Sequence, residues 1–230
     1  LGEIILVVIG ILIALNINNK NEANKQRDQE LHYLKNIKTD LQMNISHIDT
    51  YLESRSTALT AATKILEHYE GKPIDDYEVF AAETISIYTW RKFFQINNTY
   101  QELINSGNLA LISNDSIKNT LLDMETLYKV MKDEESHFRY DSETLLYDPY
   151  FEKVDTNPIV KNFTYQASGG EAGERVPLTR KHFENMLNDI KQKNGFVMAQ
   201  FELTVMNGQL KEMKVMCNQL IILIDKELKK

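Results

Sequence analysis

Apolar residues fill the first part of the chain and then recur at a helical spacing. The run 4–15 is apolar at every position, counting its glycine and alanine. From Leu31 onward, residues three and four apart alternate in a heptad a/d frame, which indicates a helix with one buried face. The frame consists of Leu31, Leu34, Lys38, Leu41, Ile45, Ile48, Leu52, Arg55, Leu59, Ala62, Leu66 and Tyr69. Projected backward it reaches Glu3, so the pattern predicts one uninterrupted helix to about Glu70.

The apolar run 4–15 has a length that membrane helices, core helices and secretory signals share. Its downstream flank, NINNKNEANKQRDQ, lacks a small-x-small cleavage site and continues the helical pattern without a break. These features favour the second half of a transmembrane helix whose first half lies upstream of Leu1, with a buried core helix as the alternative. We therefore assign 1–18 to the C-terminal part of a transmembrane helix and 19–230 to a helical body.

One stripe of the N-terminal helix carries an acid and two small residues. Residues seven apart nearly eclipse on a helix, so Glu3, Gly10 and Ile17 share a stripe. Gly10 and Ala14 form a small-xxx-small pair, which lets another helix approach closely in lipid. Glu3 lies either at membrane depth, where a carboxylate normally faces a partner, or at the headgroup boundary, and both alternatives stay open. The predicted membrane helix-packing residues are Glu3, Leu6, Gly10, Ala14 and Ile17.

Glycine and proline divide the body into further helices. EGKPIDD, residues 70–76, ends the long helix, and Asp75 or Asp76 is expected to cap a second helix that runs to about Thr89. The apolar side of that helix is predicted to include Val79, Phe80, Ile85 and Ile87. Thr99 and Glu102 fit a capping box, and the short helix that follows is expected to end at Gly107.

The second half of the body predicts three more elements. Ser113 or Asp115 is expected to cap a helix that runs to about Leu146. The stretch 147–177 holds three of the four prolines and a Gly-rich tip, which together predict an irregular, mobile loop. Helices are expected at about 179–194, ending at Gly195, and at 196–228. The last of these carries a second 3/4 seam at Leu210, Met213, Cys217, Leu220 and Ile224.

These patterns predict an all-α fold, in which an N-terminal transmembrane helix continues into a long helix that packs in an extramembrane helical bundle. A parallel coiled coil between copies of the chain would use the same seam and is the alternative. YTWRKFF, residues 88–94, is the densest aromatic stretch and is either core with two solvated cations or a partner-binding patch. The candidate partner-binding residues are Trp90, Arg91, Phe93 and Phe94.

Composition and charge exclude several classes of function. A net charge of −7 argues against nucleic-acid binding, which needs a basic face. The single cysteine, Cys217, excludes an intramolecular disulfide, and its apolar seam predicts a buried, inert thiol. None of the five histidines pairs with another His or Cys at helical spacing. The acidic stretch 133–143 lacks the spacing of a calcium loop and predicts a solvated helix face. Since no catalytic motif is present either, we expect no enzyme, no cofactor and no metal site.

Two segments resemble a known family. GEIILVVIGILIALNINNKNE, residues 2–22, is similar to the signature of a family of short single-pass membrane proteins from Bacteroidota, which is catalogued as a domain of unknown function. TYQELINSGNLALISNDSIKNTL, residues 99–121, is similar to the family's Leu-x-x-Ser-Gly-x-Leu-x-Leu-Ile segment. The chain departs from the family at Lys20, where a tryptophan is expected. The resemblance implies a basic cytoplasmic N-terminus upstream, one span of the inner membrane and a periplasmic body, and it implies no activity.

The resulting hypothesis is an interaction protein: a membrane-anchored helical chain that serves as an accessory or structural subunit of a cell-envelope complex. The expected partners are membrane lipid and either other transmembrane helices or a larger membrane complex, with a homo-oligomer as an alternative. The alternative function is a periplasmic domain that senses a ligand or signal, which predicts a cytoplasmic effector domain upstream of Leu1. An enzyme with unrecognised chemistry is the third hypothesis.

Overall fold

The computed structural model describes residues 2–88 and 91–230, except for the side chain of Ile5, and these residues form helices and no strand. The helices are α1 (Gly2–Tyr69), α2 (Tyr77–Tyr88), α3 (Asn98–Asn105), α4 (Asp115–Asp141), α5 (Asp148–Lys153), α6 (Asn157–Ala167), α7 (Arg180–Leu187) and α8 (Ile190–Glu227). A 3-10 turn spans Asn108–Leu111, and a π-helix, Ser142–Tyr147, joins α4 to α5. The predicted all-α fold is confirmed.

Helix α1 confirms the prediction of one uninterrupted helix from the apolar N-terminal segment into the body. It ends at Tyr69, and Gly71 then adopts a φ of +102°, a left-handed conformation that glycine reaches at little cost. The amides of Gly71 and Lys72 bond back to carbonyls of the last turn. Every position of the a/d frame from Leu31 to Tyr69 is buried or half-buried. The seam is therefore covered by other helices of the same chain.

The described residues pack as two compact units. The first consists of 2–46, 95–126 and 213–230, and the second of 47–88, 91–94 and 127–212. Helices α1, α4 and α8 each contribute a segment to both units. Each unit has its own apolar core.

The core of the first unit is built from α1, α3, α4 and α8. Its buried apolar residues are Leu34, Ile37, Leu41, Tyr100, Leu103, Ile112, Ile117, Leu121, Met124, Met213, Cys217, Leu220 and Ile224. Cys217 is fully buried as predicted, and burial raises the pKa of its thiol to about 12. The polar seam residue Lys38 is accommodated because its Nζ lies 2.5 Å from Asp225 Oδ1 at the edge of this core.

Aromatic side chains from three helices hold the second unit together. Phe80 of α2 packs edge-on against Phe183 of α7 at a centroid distance of 5.1 Å, and Tyr77 stacks on the same Phe183 ring. The Tyr69 hydroxyl donates to the Met186 carbonyl at 2.9 Å, which ties the end of α1 to α7. The other buried apolar residues of this cluster are Ala58, Ala61, Ala62, Ile65, Ala81, Ile87, Phe138, Leu146, Tyr150, Val154, Ile159, Met186, Phe196, Ala199, Leu203 and Met206.

A buried ion pair explains how the second polar seam residue, Arg55, is accommodated. The side chains of Arg55 and Glu135 are 4% and 1% exposed, and the guanidinium donates to Glu135 Oε1. The same carboxylate oxygen accepts the backbone amide of Phe93 at 2.8 Å. Such a pair costs desolvation that its own attraction must offset, so its integrity matters more to folding than a surface pair does.

The prediction of an irregular loop at 147–177 is wrong over most of that stretch. Residues 148–153 and 157–167 form α5 and α6, and Pro149 and Pro158 lie in the first turns of these helices. At Pro158 the missing N–H is tolerated because the first amides of a helix have no intrahelical partner in any case, whereas Pro149 lies in a helix that directly follows the π-helix Ser142–Tyr147. The connection 168–179 is non-helical, and Asn162 secures it by bonding both the amide and the carbonyl of Val176.

The predicted break at Gly195 is also wrong. The chain breaks at Asn188 and Asp189 instead, where Asp189 Oδ1 accepts the Lys191 amide at 2.8 Å and starts α8. Gly195 lies inside α8, and a Cβ there would come within 2.5 Å of Leu146 in the π-helix. Glycine therefore serves close packing at this position and not helix termination.

Three predicted local features differ in the structure. The amide of Thr99 bonds to Asp40 of α1 at 3.0 Å, so no Thr99–Glu102 capping box forms. Asn114 caps α4, because its side chain accepts two amides of the first turn. On α2, Asp76 caps as expected and Phe80 and Ile87 are buried, but Val79 and Ile85 are exposed.

Candidate functional site

The apolar end of α1 is the first candidate functional surface. Among the described residues, α1 is the one helix long and apolar enough to cross a membrane, and no residue of its most apolar stretch is buried. The predicted helix-packing residues lie on it and are exposed: Glu3, Leu6, Gly10, Ala14 and Ile17. An exposed apolar surface of this length is typical of segments that contact a membrane or another protein. The surface is therefore available to lipid and to a second helix.

The aromatic stretch 88–94 divides into core and surface. Phe93 is 1% exposed and packs edge-on against Tyr51, so it belongs to the core and is not available to a partner. Phe94 is 62% exposed, with the Lys132 ammonium 4.8 Å from its ring centroid, and Arg91 is exposed. Trp90 lies outside the described residues. The predicted partner-binding patch is thus reduced to Arg91 and Phe94 among the residues described.

A polar junction in the first unit joins α1 to the start of α4 and the end of α8. Glu30 is 3% exposed, and its carboxylate accepts the amide and hydroxyl of Ser113 at 2.7 Å each and Arg27 at 2.6 Å. Glu227 accepts Lys230 at 2.7 Å and Asn114 at 3.1 Å. Burial raises the pKa of Glu30, but these hydrogen bonds outweigh burial and leave the pKa below its ordinary value. Bonds from Lys230 and Asn114 lower the pKa of Glu227.

Acidification is expected to destabilise the protein through this junction. A carboxyl group with a lowered pKa in the folded state stabilises the fold above its unfolded pKa of about 4.5, and this contribution is lost as the pH falls through the folded value. We expect the free energy of unfolding to decrease between about pH 5 and pH 3, as measured by urea denaturation. Glu30→Gln should flatten this decrease, whereas Glu22→Gln, at an exposed position of α1, should not. An equally steep decrease in Glu30→Gln would contradict the assignment.

A cluster of three potential metal ligands lies in the second unit. His137 and Asp141 are one helical turn apart on α4, and Glu202 approaches them from α8. His137 Nδ1 lies 2.8 Å from Glu202 Oε1, and one ligand atom from each residue lies within 4.8 Å of the other two. The π-helix begins at Ser142, directly after Asp141. One imidazole and two carboxylates thus converge on one point.

The electrostatics of this cluster are dominated by the buried carboxyl of Glu202. Glu202 is 5% exposed, Asp141 is half-buried and His137 is exposed. Burial raises the pKa of Glu202 more than the hydrogen bond with His137 lowers it, and the charge of Asp141 raises it further. The hydrogen bond to Glu202 and the charge of Asp141 raise the pKa of His137. Glu202 Oε2 is buried and has no hydrogen-bond partner among the described residues.

Comparison with known proteins places the chain in a family. A family of unknown function, DUF6090, matches residues 3–156. The chain belongs to DUF6090. Comparison with curated proteins and with solved structures gave no match. The DUF6090 match includes residues 3–22 and 99–121, the two segments that carry the resemblance, and it also includes His137 and Asp141 but not Glu202.

Only part of this cluster is visible in the sequence of the DUF6090 chain. His137 and Asp141 have the i, i+4 spacing of a histidine–carboxylate pair, whereas a search for histidine pairs and histidine–cysteine pairs does not detect that spacing. Both residues lie within the acidic stretch 133–143, whose composition predicts a solvated helix face. Glu202 carries no such signal, because only the packing of α8 in the second unit brings it to α4.

Proposed function

We propose that this DUF6090 chain is a membrane-anchored helical interaction protein, an accessory or structural subunit of a cell-envelope complex with no enzymatic activity of its own. The observation that supports this function is the continuity of α1. One helix carries an exposed apolar segment at its N-terminal end and supplies buried seam residues to both units further on. The same element is thereby suited to serve as anchor and as scaffold.

The proposed topology is a single pass through the inner membrane with the body in the periplasm, which the resemblance supports. Lipid is the proposed partner of most of the apolar segment. A transmembrane helix of a larger complex is the proposed partner of the stripe formed by Glu3, Gly10, Ala14 and Ile17, since small residues allow close approach in lipid. The acidic net charge disfavours nucleic acid as a partner.

Leu12→Arg is expected to weaken membrane anchoring. Arginine costs about 2.5–3.5 kcal/mol at the centre of a membrane helix and less toward its end, so at Leu12 the fraction of full-length protein that stays with urea-washed native membranes should fall several-fold. Ile222→Arg is the matched control, because Leu12 and Ile222 are 59% and 55% exposed but Ile222 lies on α8 in the body. A parent protein that washes off the membrane, or a Leu12→Arg variant that binds as firmly as the parent, would contradict the anchor.

Native electrophoresis of gently solubilised membranes tests the accessory role. The parent should migrate as a defined complex that contains a second membrane protein. Substituting Gly10 and Ala14 together by isoleucine should dissociate that complex, because the larger side chains hold the partner helix away. Ile11→Leu, on another face of the same segment, should leave it intact. A parent that migrates alone, or with further copies of itself only, would reject the accessory role.

A further inference from the structure

We propose that His137, Asp141 and Glu202 form a binding site for a divalent transition-metal ion, best matched by Zn²⁺. The site lies within the second unit, and its ligands come from two helices, α4 and α8. Imidazole nitrogen and carboxylate oxygen are ligands that Zn²⁺ takes in proteins. A calcium site would need six to eight oxygen ligands, whereas this site offers one nitrogen and two carboxyl groups.

The spacing of the three ligand atoms fits a zinc ion after small side-chain movements. At metal–ligand distances of about 2.0–2.2 Å, the ligand atoms of a tetrahedral site lie about 3.3–3.6 Å apart. His137 Nδ1 and Glu202 Oε1 are 2.8 Å apart, and no two of the three ligand atoms are more than 4.8 Å apart. The His137 side chain is 64% exposed, so neighbouring residues leave space for the small movement that metal binding would require. Asp141 lies one turn further along α4, on the same face of the helix.

Glu202 supplies an independent reason to expect a cation here. Its side chain is 6% exposed, and Oε2 has no hydrogen-bond donor among the described residues. A buried carboxylate oxygen without a donor is costly, and a cation that both oxygens of Glu202 bind would satisfy Oε2. The carboxylates of Asp141 and Glu134 add negative charge near the same place. Three protein ligands would leave a further coordination position for water, as in open zinc sites.

Zinc titration of the full chain in detergent tests the site. After treatment with a chelator, the parent should bind one Zn²⁺ per chain in a competition assay with a chromophoric chelator, and Zn²⁺ should raise its melting temperature. His137→Gln and Asp141→Asn should each weaken Zn²⁺ binding at least tenfold. Co²⁺ bound to the parent should show visible d–d absorption that both variants lose.

Two matched controls keep this test specific. Asp133→Asn removes an exposed acid from the same helix, and His47→Gln removes an exposed histidine from α1; both variants should bind Zn²⁺ as the parent does. If Glu202→Gln fails to fold, the two less buried positions decide the question, with circular dichroism confirming their helix content. A parent that binds no stoichiometric Zn²⁺, or variants of His137 and Asp141 that bind it unchanged, would reduce the cluster to an ordinary histidine–carboxylate pair and overturn the proposal.

Discussion

Replacing Glu135 by alanine is expected to lower the free energy of unfolding by about 3–5 kcal/mol, the usual cost of leaving a buried charge without its partner. Arg55 would keep its guanidinium in the core of the second unit, where its side chain is 4% exposed. The Phe93 amide would also lose its acceptor. Urea denaturation monitored by circular dichroism measures the effect as a lower transition midpoint at an unchanged slope.

The double variant Arg55→Met/Glu135→Gln is the control for this prediction. It removes both charges at similar volume, and the glutamine retains an acceptor for the Phe93 amide. Because replacing a buried ion pair by neutral groups is often close to neutral, the double variant should be much more stable than Glu135→Ala. If both variants lose the same free energy, the cost comes from packing and not from the unpaired charge.

Gly195→Ala is expected to destabilise the protein. Overpacking costs about 1–3 kcal/mol, and the higher helix propensity of alanine offsets about 1 kcal/mol of that cost. A Cβ at this position would lie 2.5 Å from Leu146 Cδ2 and 2.8 Å from Leu146 Cγ. The Leu146 side chain is fully buried in the second unit and has little room to move aside. The midpoint of thermal or urea unfolding reports the loss.

Gly208→Ala provides the opposite expectation on the same helix. A Cβ at Gly208 would meet nothing within 4 Å, so only helix propensity should change and the protein should gain about 0.8–1 kcal/mol. Opposite signs for the two glycine variants would show that Gly195 is required by contact with the π-helix. A stabilised Gly195→Ala would contradict that close packing.

Periodicity predicted the long elements of this fold because their signal is repeated many times. The a/d frame of α1 and the seam from Leu210 to Ile224 each span several turns, so one misplaced residue does not hide them. The ends of the helices depend on single residues and are therefore less predictable from the sequence. Pro158 lies in the first turn of α6, which tolerates proline, Pro149 lies in α5, which follows the π-helix without a break, and Gly195 allows close packing instead of ending a helix.

The candidate sites differ in how far the sequence could reveal them. The apolar segment of α1 is contiguous, so composition alone identifies it. His137 and Asp141 are four residues apart and could have been paired from the sequence. Glu202 is more than sixty residues further on, and its approach to them depends on which face α8 presents to α4 in the second unit. The partner of Arg55 was hidden for the same reason, since Glu135 meets it only through packing.

The exposed part of α1 between Ile17 and Arg27 has a mechanical consequence. Every residue of 18–26 is exposed, and α1 continues through these residues without a break. The angle about the helix axis between the N-terminal stripe and the a/d seam therefore depends only on the number of residues between them. One inserted residue would turn that stripe by about 100°, whereas seven would restore it to within about 20° and add about 10 Å of length. The direction in which the apolar stripe faces about the axis of α1 is therefore set by the number of residues that separate it from the a/d seam.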